Sequence, residues 1–188
     1  YTPLRKLVLD GKVKAGKIKA HGATVENVDI GITADKGIIS VDPLDMQLYK
    51  GKVDSALKLD VRKQNPATGV ILAASGIQVG PLLKDALKKE LIEGTLKADA
   101  NLSMKGDEPD MIKKTLTGKG GLVFNDGAIV GIDIPGMVRN VKSKITGGQS
   151  ASSEKPRTDF AELNMPFTAR NGLVKTDGTR MVSPLIRV

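Results

Sequence analysis

The sequence predicts a mainly β protein of the α+β class, with two or three helices partly covering one face of a long, curved, mostly antiparallel sheet. The prediction rests on three strands in which apolar and polar residues alternate, each introduced by a glycine. These strands begin at Gly11, Gly51 and Gly94, roughly 40 residues apart, a spacing typical of a repeated supersecondary unit. Such alternation gives a sheet one apolar and one polar face. We expect the apolar face to decide the function.

Further strands are predicted in the first half of the chain. Residues 28–34 alternate strictly, and the turn Asp35-Lys36-Gly37 places glycine where a positive φ is needed. The next strand is interrupted at Asp42-Pro43, because proline has no N–H to donate to a neighbouring strand. It resumes at Leu44, and after a polar loop another strand covers residues 70–74.

Three segments have helical patterns. The first opens at Gly80-Pro81 and carries an apolar stripe that should cover one end of the apolar face. Asp85 and Lys89 are spaced for an ion pair on its exposed side. The second helix begins near Asp107, and the third covers about 135–145. The stripe of the first helix consists of Leu82, Leu83, Ala86, Leu87 and Leu91.

The second half of the chain returns to strands. A strand over 118–124 leads to a hairpin turn at Asn125-Asp126-Gly127 and a return strand over 128–132. We expect residues 1–145 to form one sheet domain with its covering helices. Residues 146–157 are rich in glycine and serine and predict a mobile loop, and residues 158–188 add returning strands. The chain begins without methionine and ends within a predicted strand, so we expect it to be a piece of a longer protein.

Composition narrows the possible functions. The net charge is +8, but basic and acidic residues are interleaved, which favours a solvated polar face with a basic bias. The alternative is attraction to an anionic partner such as a membrane surface, lipopolysaccharide or nucleic acid. Nucleic acid is disfavoured, because the chain has three Phe, two Tyr and no Trp for base stacking. The absence of cysteine excludes thiol catalysis and thiolate metal sites.

No segment of the sequence presents a catalytic or metal-binding constellation. His21 has no histidine or carboxylate partner nearby in the sequence and is most simply a surface residue. The acidic residues at 107–110 are expected at the start of a helix and lack the spacing of an EF-hand. Gly118-Lys119-Gly120 precedes a strand rather than a helix, unlike a phosphate-binding loop. We therefore predict a protein that is not an enzyme and needs no cofactor or metal.

The apolar face remains the candidate site. Its side chains are aliphatic or Met, so it offers a smooth apolar surface to a partner. The alternative is that the same side chains fill a closed core beneath the helices. The candidate side chains of this face are Leu44, Met46, Leu48, Leu57, Leu59, Leu96, Leu102 and Met104.

Several blocks of the sequence resemble those of the AsmA family, in the same order and over nearly the whole chain. They include LDGKV at 9–13, ADKGIISVDPL at 34–44, LYKGKV at 48–53, GIQVGPLLKDA at 76–86, LIEGTL at 91–96, DGAIVGIDI at 126–134 and TDFAEL at 158–163. Asn171-Gly172 and Ser183-Pro184-Leu185 continue the pattern.

This resemblance implies a location and a ligand. Proteins of the family belong to the envelope of Gram-negative bacteria, where an inner-membrane helix, absent from this chain, tethers a periplasmic region linked to outer-membrane biogenesis. Some long relatives are similar to bridge-like lipid-transfer proteins, in which a curved sheet forms an aliphatic groove for phospholipids. The resemblance thus implies a phospholipid or other acyl lipid as the partner, and the candidate side chains of the apolar face as the lining of a lipid-binding groove. Such a lining suits an acyl chain, because burying each CH₂ gains about 0.8 kcal/mol and Met adapts to irregular shapes. Alternatively, the domain is a structural or interaction module whose sheet edges pair with neighbouring repeats or outer-membrane assembly proteins.

Overall fold

The computed structural model describes residues 1–20, 22–133 and 156–183. These residues form one antiparallel sheet of ten strands and three helices. The predicted mainly β architecture with a long antiparallel sheet is confirmed.

The helices are α1 (Thr2–Arg5), α2 (Val79–Leu87) and α3 (Pro109–Thr115). The strands are β1 (Leu9–Ala20), β2 (Ala23–Asp35), β3 (Ile38–Leu48), β4 (Gly51–Asp60), β5 (Ala67–Gln78), β6 (Ile92–Lys105), β7 (Thr117–Val130), β8 (Arg157–Arg170), β9 (Leu173–Lys175) and β10 (Arg180–Val182).

The strands follow one another across the sheet in chain order from β1 to β8. The short strands β9 and β10 both pair with β8 and lie along that edge, whereas β1 lies at the opposite edge. Each strand reverses the direction of the previous one, so β1 and β4 run in opposite directions. The glycine spacing therefore does not mark a repeated structural unit, and this part of the prediction is wrong.

Two features predicted as breaks are bulges within continuous strands. The Asp42-Pro43 bond is cis, and the pairing shifts by one residue between Val41 and Leu44 on both sides of β3. Likewise, Asn125 pairs with Thr95 while Ala128 pairs with Glu93, so β7 has one extra residue there. An extra residue on one strand bends that strand without ending it. The interruption at Asp42-Pro43 and the hairpin at Asn125-Asp126-Gly127 are therefore wrong, whereas Lys36 and Gly37 do form a turn with positive φ.

Several predicted features fall outside the described residues. They are His21, the third helix over 135–145, most of the mobile loop, and the chain after Ser183. The loop was predicted to include Arg157, but Arg157 already pairs with Val130 at the start of β8. The described part of the last predicted strand is β10.

Small side chains and a few aromatic residues form the buried core. One cluster consists of Val53, Ala74, Ile77 and Ala98, and the other of Val79, Phe124, Phe160 and Leu163. Both lie where α2 crosses the sheet: Leu82 packs against the first cluster and Leu83 against the second. The core therefore joins one helix to one end of the sheet.

Candidate functional site

The register of the sheet brings its aliphatic side chains to one face, called here the aliphatic face. Directly opposed residues of antiparallel strands point to the same side. One row of opposed residues therefore crosses eight strands, β1 to β8, and at about 4.8 Å per strand it spans about 34 Å. This row consists of Gly11, Ile32, Val41, Leu57, Val70, Leu102, Gly118 and Ala169.

Parallel rows continue the aliphatic face on both sides of this one. Towards the β2–β3 turn lie Leu9, Ala34, Ile39, Leu59, Thr68 and Met104. In the other direction the next row consists of Val13, Ile30, Leu44, Ser55, Leu72, Ala100, Gly120 and Phe167. Only Thr68 and Ser55 bring polar groups into these rows.

All the residues predicted to line a groove lie on the aliphatic face, and each is half-buried. They divide into two groups. Met46, Leu48 and Leu96 pack against the core clusters beneath α2. Within the described part of the chain, the remaining residues belong to neither cluster. These are Leu44, Leu57, Leu59, Leu102 and Met104.

Further aliphatic residues outside the predicted lining lie on the same face. Ile30 and Ile32 on β2, Val41 on β3, and Val70 and Leu72 on β5 lie on the same face. The alternation of β2 could have identified Ile30 and Ile32. Residues 70–74 form a continuous apolar run without alternation, so the sequence could not tell which of them share the face of Leu57.

The opposite face of the sheet carries charged and small polar side chains. On β1, Lys14 pairs with Asp29 at 3.0 Å and Lys17 with Glu26 at 2.9 Å. Ile71 is an exception, since it lies on this polar face opposite Ala56 and Asn101 and is 59% exposed. The sheet is therefore strongly two-sided, and Ile71 offers a matched control for residues of the aliphatic face.

Helix α2 covers one end of the aliphatic face, but with less of its apolar stripe than predicted. The helix ends after Leu87, because Lys88 adopts a left-handed conformation with φ 56°. Leu87 and Leu91 are consequently 54% and 47% exposed, and Ala86 is exposed as well. The leucine stripe that was predicted to cover the sheet is therefore reduced to Leu82 and Leu83.

A hydrogen bond ties α2 to the turn between β3 and β4. The Tyr49 hydroxyl donates to the Asp85 carboxylate at 2.5 Å. Burial, together with this hydrogen bond, raises the pKa of Tyr49. The predicted Asp85–Lys89 pair does not have its helical geometry, because Lys89 lies beyond the end of the helix. Asp85 instead fixes the helix to the sheet.

Within the described ranges, no helix has the length and apolar character needed to span a bilayer. The same ranges contain no group of three or more His, Asp or Glu side chains that could hold a metal ion. The acidic residues after β6 have structural contacts: Asp107 accepts a hydrogen bond from the Tyr1 hydroxyl at 2.7 Å, and Asp110 lies in the first turn of α3.

The fold and the candidate site together define a protein class: a single open antiparallel sheet with one aliphatic face, covered at one end by a helix. In a comparison with known protein families, the AsmA family model matches residues 4–179 of this chain. The chain belongs to the AsmA family. Membership supports a role related to the bacterial envelope and outer-membrane biogenesis. Among curated proteins and solved structures, no match was found.

Proposed function

We propose that the aliphatic face binds or conducts the acyl chains of a phospholipid or another lipid. In this proposal the chain is a non-enzymatic domain of a periplasmic protein that is tethered to the inner membrane and supports outer-membrane biogenesis through lipid handling. Family membership supports the cellular setting. The observation that carries the ligand class is the continuous aliphatic row through Leu57, Val70 and Leu102.

The chemistry of this face suits an acyl chain. An acyl chain has no hydrogen-bonding groups, so a wall of aliphatic side chains can accept it without leaving a polar group unpaired. Each CH₂ removed from water contributes about 0.8 kcal/mol, and a row this long can contact many of them. Met104 at one end of the sheet adds an adaptable side chain.

Away from α2, the described part of the aliphatic face is not packed into the core clusters. Leu57, Leu59, Leu102 and Met104 are half-buried and lie outside both core clusters of the described residues. Each of these side chains therefore keeps part of its apolar surface in contact with solvent. Lipid binding would remove this surface from water.

Mass spectrometry of organic extracts from the purified protein tests this proposal. The protein as isolated should carry lipid above the background of a mock purification. The double substitution Leu57→Gln, Leu102→Gln should reduce that lipid, because each glutamine would place an amide against the acyl chain without a partner. Ile71→Gln should retain the lipid, since Ile71 faces the opposite side. Background lipid in the unmodified protein, or equal loss in both variants, would overturn the proposal.

The edge strand β1 supports a second candidate function, as a docking edge for another β-strand. Within the described residues β1 pairs only with β2, and its side chains Val13 and Ile18 are 55% and 42% exposed. A free strand edge is a template for strand addition. Lys12 and Lys19 on the same strand limit unspecific pairing, as lysines on edge strands commonly do.

Photo-crosslinking from Val13 in Gram-negative cells tests the docking edge. A protein adduct at Val13, identified by mass spectrometry as an outer-membrane assembly protein or as a neighbouring segment of the same protein, would support strand addition. Failure to form any protein adduct at Val13 would count against it and would leave the lipid proposal unaffected.

A further inference from the structure

The polar face of the sheet has a basic trench at the ends of β4 to β9, on the side opposite the aliphatic face. Two neighbouring depressions form it, with volumes of about 670 Å³ and 530 Å³. Both include Thr117 and Asn171 in their lining, so they are continuous with each other.

The register explains why basic side chains meet in this trench. Asn101, Lys119, Thr168 and Lys175 are directly opposed in turn on β6, β7, β8 and β9. Lys119 and Lys175 are thus two strands apart, about 10 Å between their backbones, with the short side chain of Thr168 between them. Arg170 follows Thr168 on the same face of β8. All three cations can therefore reach a group bound above Thr168.

The charges in the trench are not balanced by the described residues. Among its described lining residues, the cationic side chains are Lys58, Lys105, Lys119, Arg170 and Lys175, and the only carboxylate is Asp60. Arg62 already binds both oxygens of Asp60, at 2.7 and 3.0 Å. None of the trench cations forms an ion pair within the described ranges, whereas Lys14 and Lys17 on β1 do. A bound anion would therefore meet a surplus of positive charge in the trench.

The side chains of the trench fit a phosphate group. A guanidinium and ammonium groups make charge-assisted hydrogen bonds to phosphate oxygens, and the Thr168 hydroxyl and the Asn101 amide can donate further hydrogen bonds. The described part of the lining contains no aromatic residue on which a sugar or a base could stack. Because these sites are depressions, a small group can enter them, whereas a flat membrane surface would lie across their openings.

We propose that this trench binds a phosphate ester, centred on Lys119, Arg170 and Lys175. The inference goes beyond the proposed function, since it concerns the opposite face and a charged rather than an apolar group. The phosphate could come from a lipid headgroup or from a soluble compound.

Binding experiments with two probes distinguish these sources. Glycerol 3-phosphate, measured by calorimetry at low ionic strength, presents the soluble phosphate. Phosphatidylcholine vesicles containing phosphatidic acid, measured by co-sedimentation, present the same phosphate on a lipid, with pure phosphatidylcholine vesicles as the baseline. Binding of glycerol 3-phosphate supports the site with a soluble source, and binding to phosphatidic acid vesicles alone supports it with a lipid source.

A pair of charge-matched variants makes the test specific. Lys119→Gln, Arg170→Gln, Lys175→Gln should weaken binding by about tenfold or more, since each lost cation removes a charge-assisted contact. Lys12→Gln, Lys19→Gln, Lys52→Gln removes the same charge elsewhere on the polar face and should leave binding nearly unchanged. Lys119→Arg, Lys175→Arg retains the charge and should bind.

Each result decides the proposal. Equal weakening in both triple variants would show a general effect of net charge and overturn the site, as would an unmodified protein that binds neither probe above the baseline. Thermal melting shows whether the variants are folded. If the first triple variant does not fold, the three single substitutions replace it, and unchanged affinity in all three would equally overturn the site.

Discussion

At the scale of single residues, Gly51, the first residue of β4, shows how closely neighbouring strands approach one another. A Cβ placed on Gly51 would lie 2.5 Å from the Ile77 backbone nitrogen and 2.6 Å from the Ser75 carbonyl oxygen. Backbone atoms cannot move away as a flexible side chain can. Gly51→Ala should therefore lower the free energy of unfolding by about 1–3 kcal/mol, as measured by urea denaturation.

Gly69 is the matched control for this prediction. It also lies within the sheet, but a Cβ there would meet no atom within 4 Å. Gly69→Ala should be neutral or stabilise the protein by up to about 1 kcal/mol, because alanine restricts the unfolded chain. Equal destabilisation by both substitutions would show that the close contact at Gly51 is not the cause.

Asp60 and Arg62 form a local pair that predicts a pH effect. Hydrogen bonds from the Arg62 side chain, and then from its backbone N–H, lower the pKa of Asp60 from 3.8 to about 2. The pair therefore contributes stability that is complete above about pH 4 and is lost as the pH falls towards 2. Arg62→Ala should raise the pKa of Asp60 towards 3.8, although the backbone hydrogen bond remains. An NMR titration of the Asp60 carboxyl carbon measures this change.

Lys63→Ala serves as the control for Asp60, because Lys63 makes the smallest contribution to the pKa shift. It should leave the Asp60 pKa near 2. An Asp60 pKa that stays near 2 in Arg62→Ala would contradict the assignment of the shift to the Arg62 side chain.

At the scale of whole elements, the hydrogen bond from Tyr49 to Asp85 connects the body of α2 to the sheet. Tyr49→Phe removes the hydrogen bond to Asp85 and should cost about 1 kcal/mol. Because this bond holds the helix to the β3–β4 turn, the amides of α2 should exchange with solvent faster in Tyr49→Phe than in the unmodified protein, whereas exchange in the neighbouring strands should change less. Hydrogen exchange measured by mass spectrometry gives both comparisons.

Tyr1→Phe is the control for the helix prediction. It removes a comparable bond, from the Tyr1 hydroxyl to Asp107, on a part of the chain that does not include α2. It should leave exchange in α2 unchanged. If exchange in α2 is the same in Tyr49→Phe as in the unmodified protein, packing of Leu82 and Leu83 alone holds the helix.

The helices and strands show which features of the fold the sequence patterns could predict and which they could not. The alternation in β4 and β6 predicted which side chains share the aliphatic face, because period 2 allows only two assignments. The dipeptide Asp126-Gly127 fits either a tight turn or a bulge, since both need positive φ, and only pairing with β6 selects the bulge. The sequence also could not fix the end of α2, because Leu91 continues the helical stripe although Lys88 ends the helix.

At the scale of the molecule, the sheet is one layer with two chemically distinct faces. The predicted groove residues could be found from the sequence because they lie in alternating strands. The basic trench could not, since Lys119 and Lys175 are distant in sequence and only the register of β7, β8 and β9 brings them together. The sequence thus predicts the composition of a face, whereas the grouping of charges across strands requires the fold.

The most direct test of the account is to place a photo-crosslinking amino acid at Leu102 and, in a separate variant, at Ile71, in protein produced in a Gram-negative bacterium. The two positions lie near each other on neighbouring strands but face opposite sides of the sheet. After irradiation and digestion, mass spectrometry should find a lipid adduct on the peptide containing residue 102 and none on the peptide containing residue 71. Equal lipid adducts at both positions, or no lipid adduct at residue 102, would contradict the claim that the aliphatic face binds acyl chains.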